Sequence, residues 1–450
     1  MRIVVIGCGA AGWAAAAAAR KTNREAKITV IEQGKHPVYE RGGIPYVIQG
    51  EIPSFESLVN FSSEYFDFMK IEMLTETKAT DIDPSEKWVK VSTRSGKERQ
   101  IEYDALILAT GSKPFIIPAP GYNLPEVYGV RTIDDGKRIL DACRSAKAAV
   151  VIGARLVGLE MAVALNQRGL DVTVIELLPQ ILDAILDREL AEEVQKTLEG
   201  MGIRFVLEAG ISEILGKDHV KAALAGSTKI DADMVVMAAG VRGRIELAQQ
   251  IGAEFGTTRL IKVDERMETS VKEVYAAGDC IECVSAITMK PTASQLGTNA
   301  VRQGKVAGTN AAGGSAMRPP ILGASVTKLL ETEISSIGLT EAYARKNGID
   351  CVSASAVVPM RPICYPDRFN ARVKLSARKA DGRIIGAQFI SRKEAAPRID
   401  TISVAMLKGV TADDLVLFDH AYSPPVADST DPLAVVAEVL SKKFTGLSRA

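Results

Sequence analysis

Short apolar runs without a polar break, each closed by glycine, are the dominant pattern along the chain. Arg2-Ile-Val-Val-Ile6 leads into Gly7-Cys8-Gly9-Ala10-Ala11-Gly12, and an alanine-rich run continues to Arg20. Runs without alternation suit strands buried on both faces, so this stretch reads as strand, turn and helix. Lys27-Ile-Thr-Val-Ile-Glu32 follows where the second strand of a βαβ unit belongs. The pattern returns 146 residues on (Gly7 to Gly153). Ala148-Ala-Val-Val-Ile152 is the strand, Gly153-Ala-Arg-Leu-Val-Gly158 the turn, Leu159 to Gln167 the helix and Asp171-Val-Thr-Val-Ile-Glu176 the next strand. Two copies of one supersecondary unit predict two nucleotide-binding domains. Ala105–Ala109, Met234–Ala238 and Glu273–Ala277 are further buried parallel strands, each followed by glycine within a few residues.

Pro114, Pro118 and Pro120 punctuate a crossing between domains, and Gly313, Gly314, Pro319 and Pro320 mark a second break. Beyond it, strands at Arg372-Val-Lys-Leu and Ile384-Ile-Gly-Ala-Gln-Phe and helices over Ile399–Lys408 and Leu433–Lys442 predict a separate α+β domain. The expected class is α/β, with two Rossmann-like domains and this third one.

Composition narrows the function. The chain has 450 residues, 47% of them hydrophobic, enough for several domains with substantial cores. Lys and Arg number 55 against 55 Asp and Glu, so no general electrostatic grip on nucleic acid or an anionic membrane is expected. The opening MRIVVIGCGAAG enters a strand directly and lacks the regions of a signal peptide. The most apolar stretches, Trp13–Ala19 and Ala148–Leu165, are short or carry Arg155 and Glu160, so no membrane span is expected. Six scattered cysteines make no disulfide framework, and no metal site is expected. A cytoplasmic protein of several domains is the reading.

Gly7, Gly9 and Gly12 form G-x-G-x-x-G between a strand and a helix, with Glu32 twenty residues beyond Gly12. The first glycine permits the tight turn, the second lets a pyrophosphate approach the backbone, and the third lets helix and strand pack closely. Glu32 would accept from an adenosine ribose. The second copy keeps Gly153 and Gly158 but has Arg155 in the middle position, and Glu176 ends its next strand. Glu176 would pair with ribose hydroxyls and repel a 2′-phosphate, and Leu177–Ile181 holds no cation to receive one. NADH is the expected ligand there, with NADPH left open.

These motifs, in this order, resemble the pyridine nucleotide–disulfide oxidoreductases, and within them the branch of NADH oxidase, coenzyme A-disulfide reductase and NADH peroxidase. Ala109-Thr-Gly111, Ala276-Ala-Gly-Asp279, Asn299-Ala-Val-Arg-Gln-Gly304, Ala421-Tyr-Ser-Pro-Pro425 and Asp431-Pro432 carry the resemblance besides the two turns. It implies FAD in the first copy and NAD(P)H in the second, and a homodimer. The domains it implies are an FAD domain in two segments, 1–114 and 246–322, an NAD(P)H domain over 115–245 and a dimerisation domain over 323–450. By the resemblance Gly7, Gly9, Ala11, Gly12, Glu32, Ala79, Thr110, Gly111, Asp279, Gly297 and Thr298 hold FAD. Gly153, Arg155, Leu156, Val157, Glu160, Glu176 and Gly240 line the NAD site. Asp279 would accept from the ribityl chain or simply cap a helix. Thr298, at a helix start, would face the flavin where N–H groups stabilise negative charge.

The branch carries its redox cysteine in Cys-Gly-Leu-Pro-Tyr, whereas here the segment is Arg41-Gly42-Gly43-Ile44-Pro45-Tyr46. Gly42 stands at the cysteine's position and has no thiolate to offer. Cys8 reads as small-residue filler, Cys143 and Cys351 as buried thiols, and Cys280 with Cys283 as an isolated Cys-x-x-Cys. Cys364-Tyr365-Pro366 resembles the branch segment with a tyrosine near the partner subunit's active site, so Cys364 is a candidate thiol. Tyr365 and Tyr422 are candidate proton donors, or ordinary buried tyrosines. Arg41 is a candidate partner for an anionic group of a substrate. His36, His219 and His420 are the only histidines, and the family's His-Glu pair is absent.

The expected function is an FAD-dependent NAD(P)H oxidase or dehydrogenase that hands electrons directly to oxygen, a quinone or a small redox protein. Two others stay open: a coenzyme A-disulfide or polysulfide reductase with a non-standard cysteine, and an NADH-responsive flavoprotein with a binding role.

Overall fold

The computed structural model describes residues 1–447, which form two compact units. The first comprises Met1–Phe115, Val130–Arg138 and Gly240–Ile321, and the second Ile116–Gly129, Ile139–Ala239 and the chain from Leu322 onward.

A parallel five-stranded sheet forms the heart of the first unit, in the order Val274–Ala276, Ala105–Leu108, Arg2–Ile6, Lys27–Ile31, Ile71–Leu74. Arg2–Ile6 is central, and Ile3, Val4 and Val5 are buried, as an unbroken apolar run covered on both faces requires. Helix Ala10–Thr22 packs on helix Gly297–Ala311 at backbone distance. A Cβ on Gly304 or Gly308 would lie 2.1 or 2.0 Å from the carbonyl oxygens of Ala11 and Ala15. This unit also holds a three-stranded antiparallel meander, Thr77–Asp83, Trp88–Thr93 and Glu98–Glu102.

The second unit repeats the parallel plan in the order Arg204–Val206, Asp171–Ile175, Ala148–Ile152, Met234–Met237, Val127–Gly129. It adds an antiparallel five-stranded sheet, Ser325–Leu329, Thr332–Gly338, Ile384–Ser391, Asn370–Arg378, Cys351–Pro359, with helices Ala395–Leu407 and Pro432–Leu447. A buried ion cluster fastens the two parts of this unit. The Lys374 ammonium lies 2.9 Å from Asp187, 2.5 Å from Glu189 and 3.1 Å from Glu341, and Gln388 donates to Asp187 at 2.7 Å. Several partners around one buried ammonium offset its desolvation.

The predicted strands end one residue early, at Ile31, Leu108, Met237 and Ala276, so Glu32, Ala109, Ala238 and Ala277 begin the loops. Glu273 has a left-handed backbone (φ 64°), and its strand starts at Val274. Ser325–Leu329 and Thr332–Gly338 carry no readable alternation, and Cys351–Pro359 alternates only through small residues, Val352-Ser-Ala-Ser-Ala356. Ser335 and Ser336 are buried in them, and Ser335 donates to the Ala395 carbonyl at 2.9 Å. Among the described residues no helix is long and apolar enough to cross a membrane.

Candidate functional site

The first glycine turn is built by two glycines the backbone demands and one it does not. Gly7 has φ 97°, and a Cβ there would lie 2.3 Å from the Ala109 carbonyl oxygen. A Cβ on Gly12 would lie 1.8 Å from the Gly7 carbonyl oxygen. Gly9 caps helix Ala10–Thr22 with φ −82° and ψ −164°, extended backbone open to any residue. A Cβ on Gly9 would meet only the Arg41 guanidinium, at 3.5 Å. Glu32 braces the turn, accepting from the N–H groups of Cys8 and Gly34 at 2.8 Å each. The Cys8 thiol is buried, and that burial, with Glu32 beside it, pushes its pKa up.

Further residues of this unit converge on the turn. Gly278, with φ 92°, packs against Ala11, and Thr110 donates to the Arg244 carbonyl at 2.6 Å. Gly111 takes the left-handed conformation at φ 67°. The Asp279 carboxylate accepts from the Ser112 hydroxyl at 2.7 Å and from Arg131 at 2.8 Å, so it is not a simple helix cap. Arg131 has a buried Nε without a partner among the described residues; burial and then the Arg41 charge lower its pKa. Gly297 and Thr298 open helix Gly297–Ala311 and are exposed, and Ala79 is buried in its meander strand. Ser112 and Arg131 escaped the sequence reading, since neither sits in a motif and Arg131 comes from a connecting stretch. The donor set fits a flavin dinucleotide: a helix N-terminus, a turn open at Gly9, two guanidiniums, and carboxylates at Glu32 and Asp279 for hydroxyls.

The second turn repeats the plan. Gly153 has φ 104°, and a Cβ on Gly158 would lie 1.9 Å from the Gly153 carbonyl oxygen. Glu176 accepts from Ala154 N–H at 2.7 Å and Leu178 N–H at 3.0 Å. Arg155 caps helix Leu156–Gln167 with φ −89° and ψ −173°, its side chain exposed. Val157 and Leu177 are exposed. Glu160 accepts from the Thr327 hydroxyl at 2.5 Å, and burial raises its pKa against that hydrogen bond. Gly240 falls in the first unit, where its carbonyl accepts from Phe115 N–H at 2.9 Å, and is not grouped with these residues.

Cys364 and Tyr422 are exposed and Tyr365 is half-buried, in two segments joined by Arg361. Arg361 donates to the Pro425 carbonyl at 2.8 Å, pairs with Glu394 at 3.2 Å and covers the Phe369 ring. Sequence reading missed this arginine too. All six cysteines are free, and burial raises the pKa of Cys280 and Cys283. Gly42 lies in the 3-10 turn Arg41–Gly43. A Cβ on Gly43 would lie 2.4 Å from Leu58, whereas one on Gly42 would meet nothing within 4 Å.

Two dinucleotide turns on two parallel sheets define a protein with two nucleotide sites. Residues 1–304 match the family model of the pyridine nucleotide-disulphide oxidoreductases, and residues 325–434 that of the family's dimerisation domain. The chain belongs to this family and is an FAD-dependent NAD(P)H oxidoreductase. An NADH oxidase of Methanocaldococcus jannaschii is 41% identical over 448 residues, covering 99% of this chain and 100% of that protein. The NAD(P)H sulfur oxidoreductase (CoA-dependent) of Pyrococcus furiosus is 34% identical over 441 residues, 98% of this chain and 99% of its own. The solved NAD-dependent persulfide reductase from A. fulgidus is 36% identical with a TM-score of 0.95, covering 99% of this chain and 84% of that one.

Proposed function

We propose that this oxidoreductase carries electrons from NADH to oxygen, a quinone or a small redox protein without a cysteine relay. Gly42 carries the reading: the position that holds the redox cysteine in the branch this chain resembles has no side chain, and neither backbone nor packing calls for glycine there. Cys8, Cys280 and Cys283 are buried thiols with raised pKa values, poor sources of thiolate. FAD, when bound, supplies the two-electron centre between the nicotinamide and the acceptor.

The chain's own residues bind and orient. Gly9 and Ala11 of the first turn, with Ala79, Thr110 and Gly111, line the FAD site. Glu32 holds its adenosine ribose, Asp279 its ribityl hydroxyl, and the helix start at Gly297 and Thr298 favours negative charge on the ring. Gly153, Arg155, Leu156, Val157 and Glu160 line the NADH site, without Gly240, which belongs to the other unit. Glu176 takes the ribose, and Leu177 offers no cation to a 2′-phosphate, which favours NADH over NADPH. Tyr365 and Tyr422 serve as proton donors to the acceptor in a cytoplasmic homodimer.

The exposure of Cys364 favours a second reading, reduction of a coenzyme A-disulfide or polysulfide through that thiol. Alkylation of exposed thiols separates the two. NADH-dependent reduction of oxygen or a quinone dye persists after alkylation in the first reading, and its loss would favour the second.

A further inference from the structure

A cation stands beside the first turn. Among the described residues Arg41 has no ion pair, and its half-buried guanidinium stands where a side chain on Gly9 would have pointed. The Tyr39 ring lies 5.4 Å from the guanidinium carbon and holds it from one side. Its backbone is equally set: Gly43 N–H donates to the Glu40 carbonyl at 3.0 Å, and Gly43 is wedged against Leu58. Arg131 lies 3.7 Å from the position of a Cβ on Gly111; its guanidinium pairs with Asp279 and its backbone N–H donates to Asp135 at 3.1 Å. Of these two guanidiniums only that of Arg131 has an ion pair among the described residues, while Glu32 is engaged by the N–H groups of Cys8 and Gly34, and the N–H groups at the start of helix Ala10–Thr22 add to the positive potential.

We infer that Arg41 is a cofactor-binding residue whose guanidinium grips the pyrophosphate of the dinucleotide at the first turn. The inference rests on FAD binding in this unit and not on the identity of the acceptor. A planar guanidinium with paired donors suits phosphate oxygens. The absence of a side chain on Gly9 keeps the backbone of the turn open beside the guanidinium, since a Cβ there would touch Arg41 at 3.5 Å. Arg41 is thereby moved from the acceptor, where the sequence reading set it, to the cofactor.

The test is the dissociation constant of FAD from the holoenzyme, read by the recovery of flavin fluorescence on release, with Arg41→Gln and Arg41→Lys. Arg41→Gln weakens FAD by about ten- to a hundredfold, the size of a lost charged hydrogen bond. Arg41→Lys weakens it less, because the charge stays and only the fork is lost. Added salt loosens FAD from the parent more steeply than from Arg41→Gln. Unaltered thermal unfolding of the cofactor-free variants separates this from a folding defect. Unchanged FAD affinity in Arg41→Gln, with only the KM of the acceptor raised, would overturn the inference and return Arg41 to the acceptor.

Discussion

The two glycine turns share one backbone and differ in one side chain. Gly7 and Gly153 have φ 97° and 104°, and Glu32 and Glu176 each accept two backbone N–H groups from matching positions. A Cβ on Gly12 or Gly158 would collide with the carbonyl of the first glycine of its turn. The middle position is extended in both, so Arg155 sits there without strain where the first turn has Gly9. The outer glycines thus belong to the fold and the middle one to the ligand. Conserving the outer pair preserves the turn, while the middle residue is free to be set by what approaches it.

Substitutions should separate the two turns at several depths. Gly12→Val and Gly158→Val should be the most damaging, each destabilising its unit by about 3 kcal/mol or more, read by thermal unfolding. Glu32→Gln and Glu176→Gln come next, each losing charged hydrogen bonds worth about 1.5–3 kcal/mol apiece. The first should loosen FAD and leave the KM for NADH unchanged, and the second should do the reverse. A single variant that impaired both ligands would deny that the turns act separately. At the middle positions, Gly9→Val should cost FAD retention with stability changed by no more than about 1 kcal/mol. Arg155→Gly should alter helix capping by only a few tenths of a kcal/mol, about what such an exchange costs elsewhere.

The smallest effect is on pH dependence. Burial raises the pKa of Glu160 above its unfolded value, so the folded protein holds that proton more tightly. Its contribution to stability is present below the ordinary carboxyl range and declines as pH rises through the folded value. Thermal midpoints between pH 4 and pH 8 should therefore fall less steeply in Glu160→Gln, whose amide oxygen can still accept from Thr327.

What the sequence made legible follows the same division. Gly7, Gly12, Gly153 and Gly158 could be found because the turn geometry forces glycine, and Glu32 and Glu176 because they stand at a fixed spacing beyond those turns. Arg131 reaches Asp279 across 148 residues and Arg361 reaches Pro425 across 64, and no periodicity encodes such contacts. The antiparallel strands with Ser335 and Ser336 were hidden for another reason. Their buried hydroxyls are satisfied inside the fold, so polar residues sit where alternation would demand apolar ones. Gly42 lies between these cases: the sequence marks it as unusual, but only the open space around it separates it from a glycine the fold requires.

The central claim, direct transfer through the flavin with no thiol centre, is tested most directly by anaerobic titration of the holoenzyme with NADH while the visible spectrum is followed. The account predicts uptake of about two electrons per FAD, with the flavin bleached and no long-wavelength thiolate–flavin band. Uptake of about four, with such a band midway, would contradict it and establish a second redox centre among the cysteines.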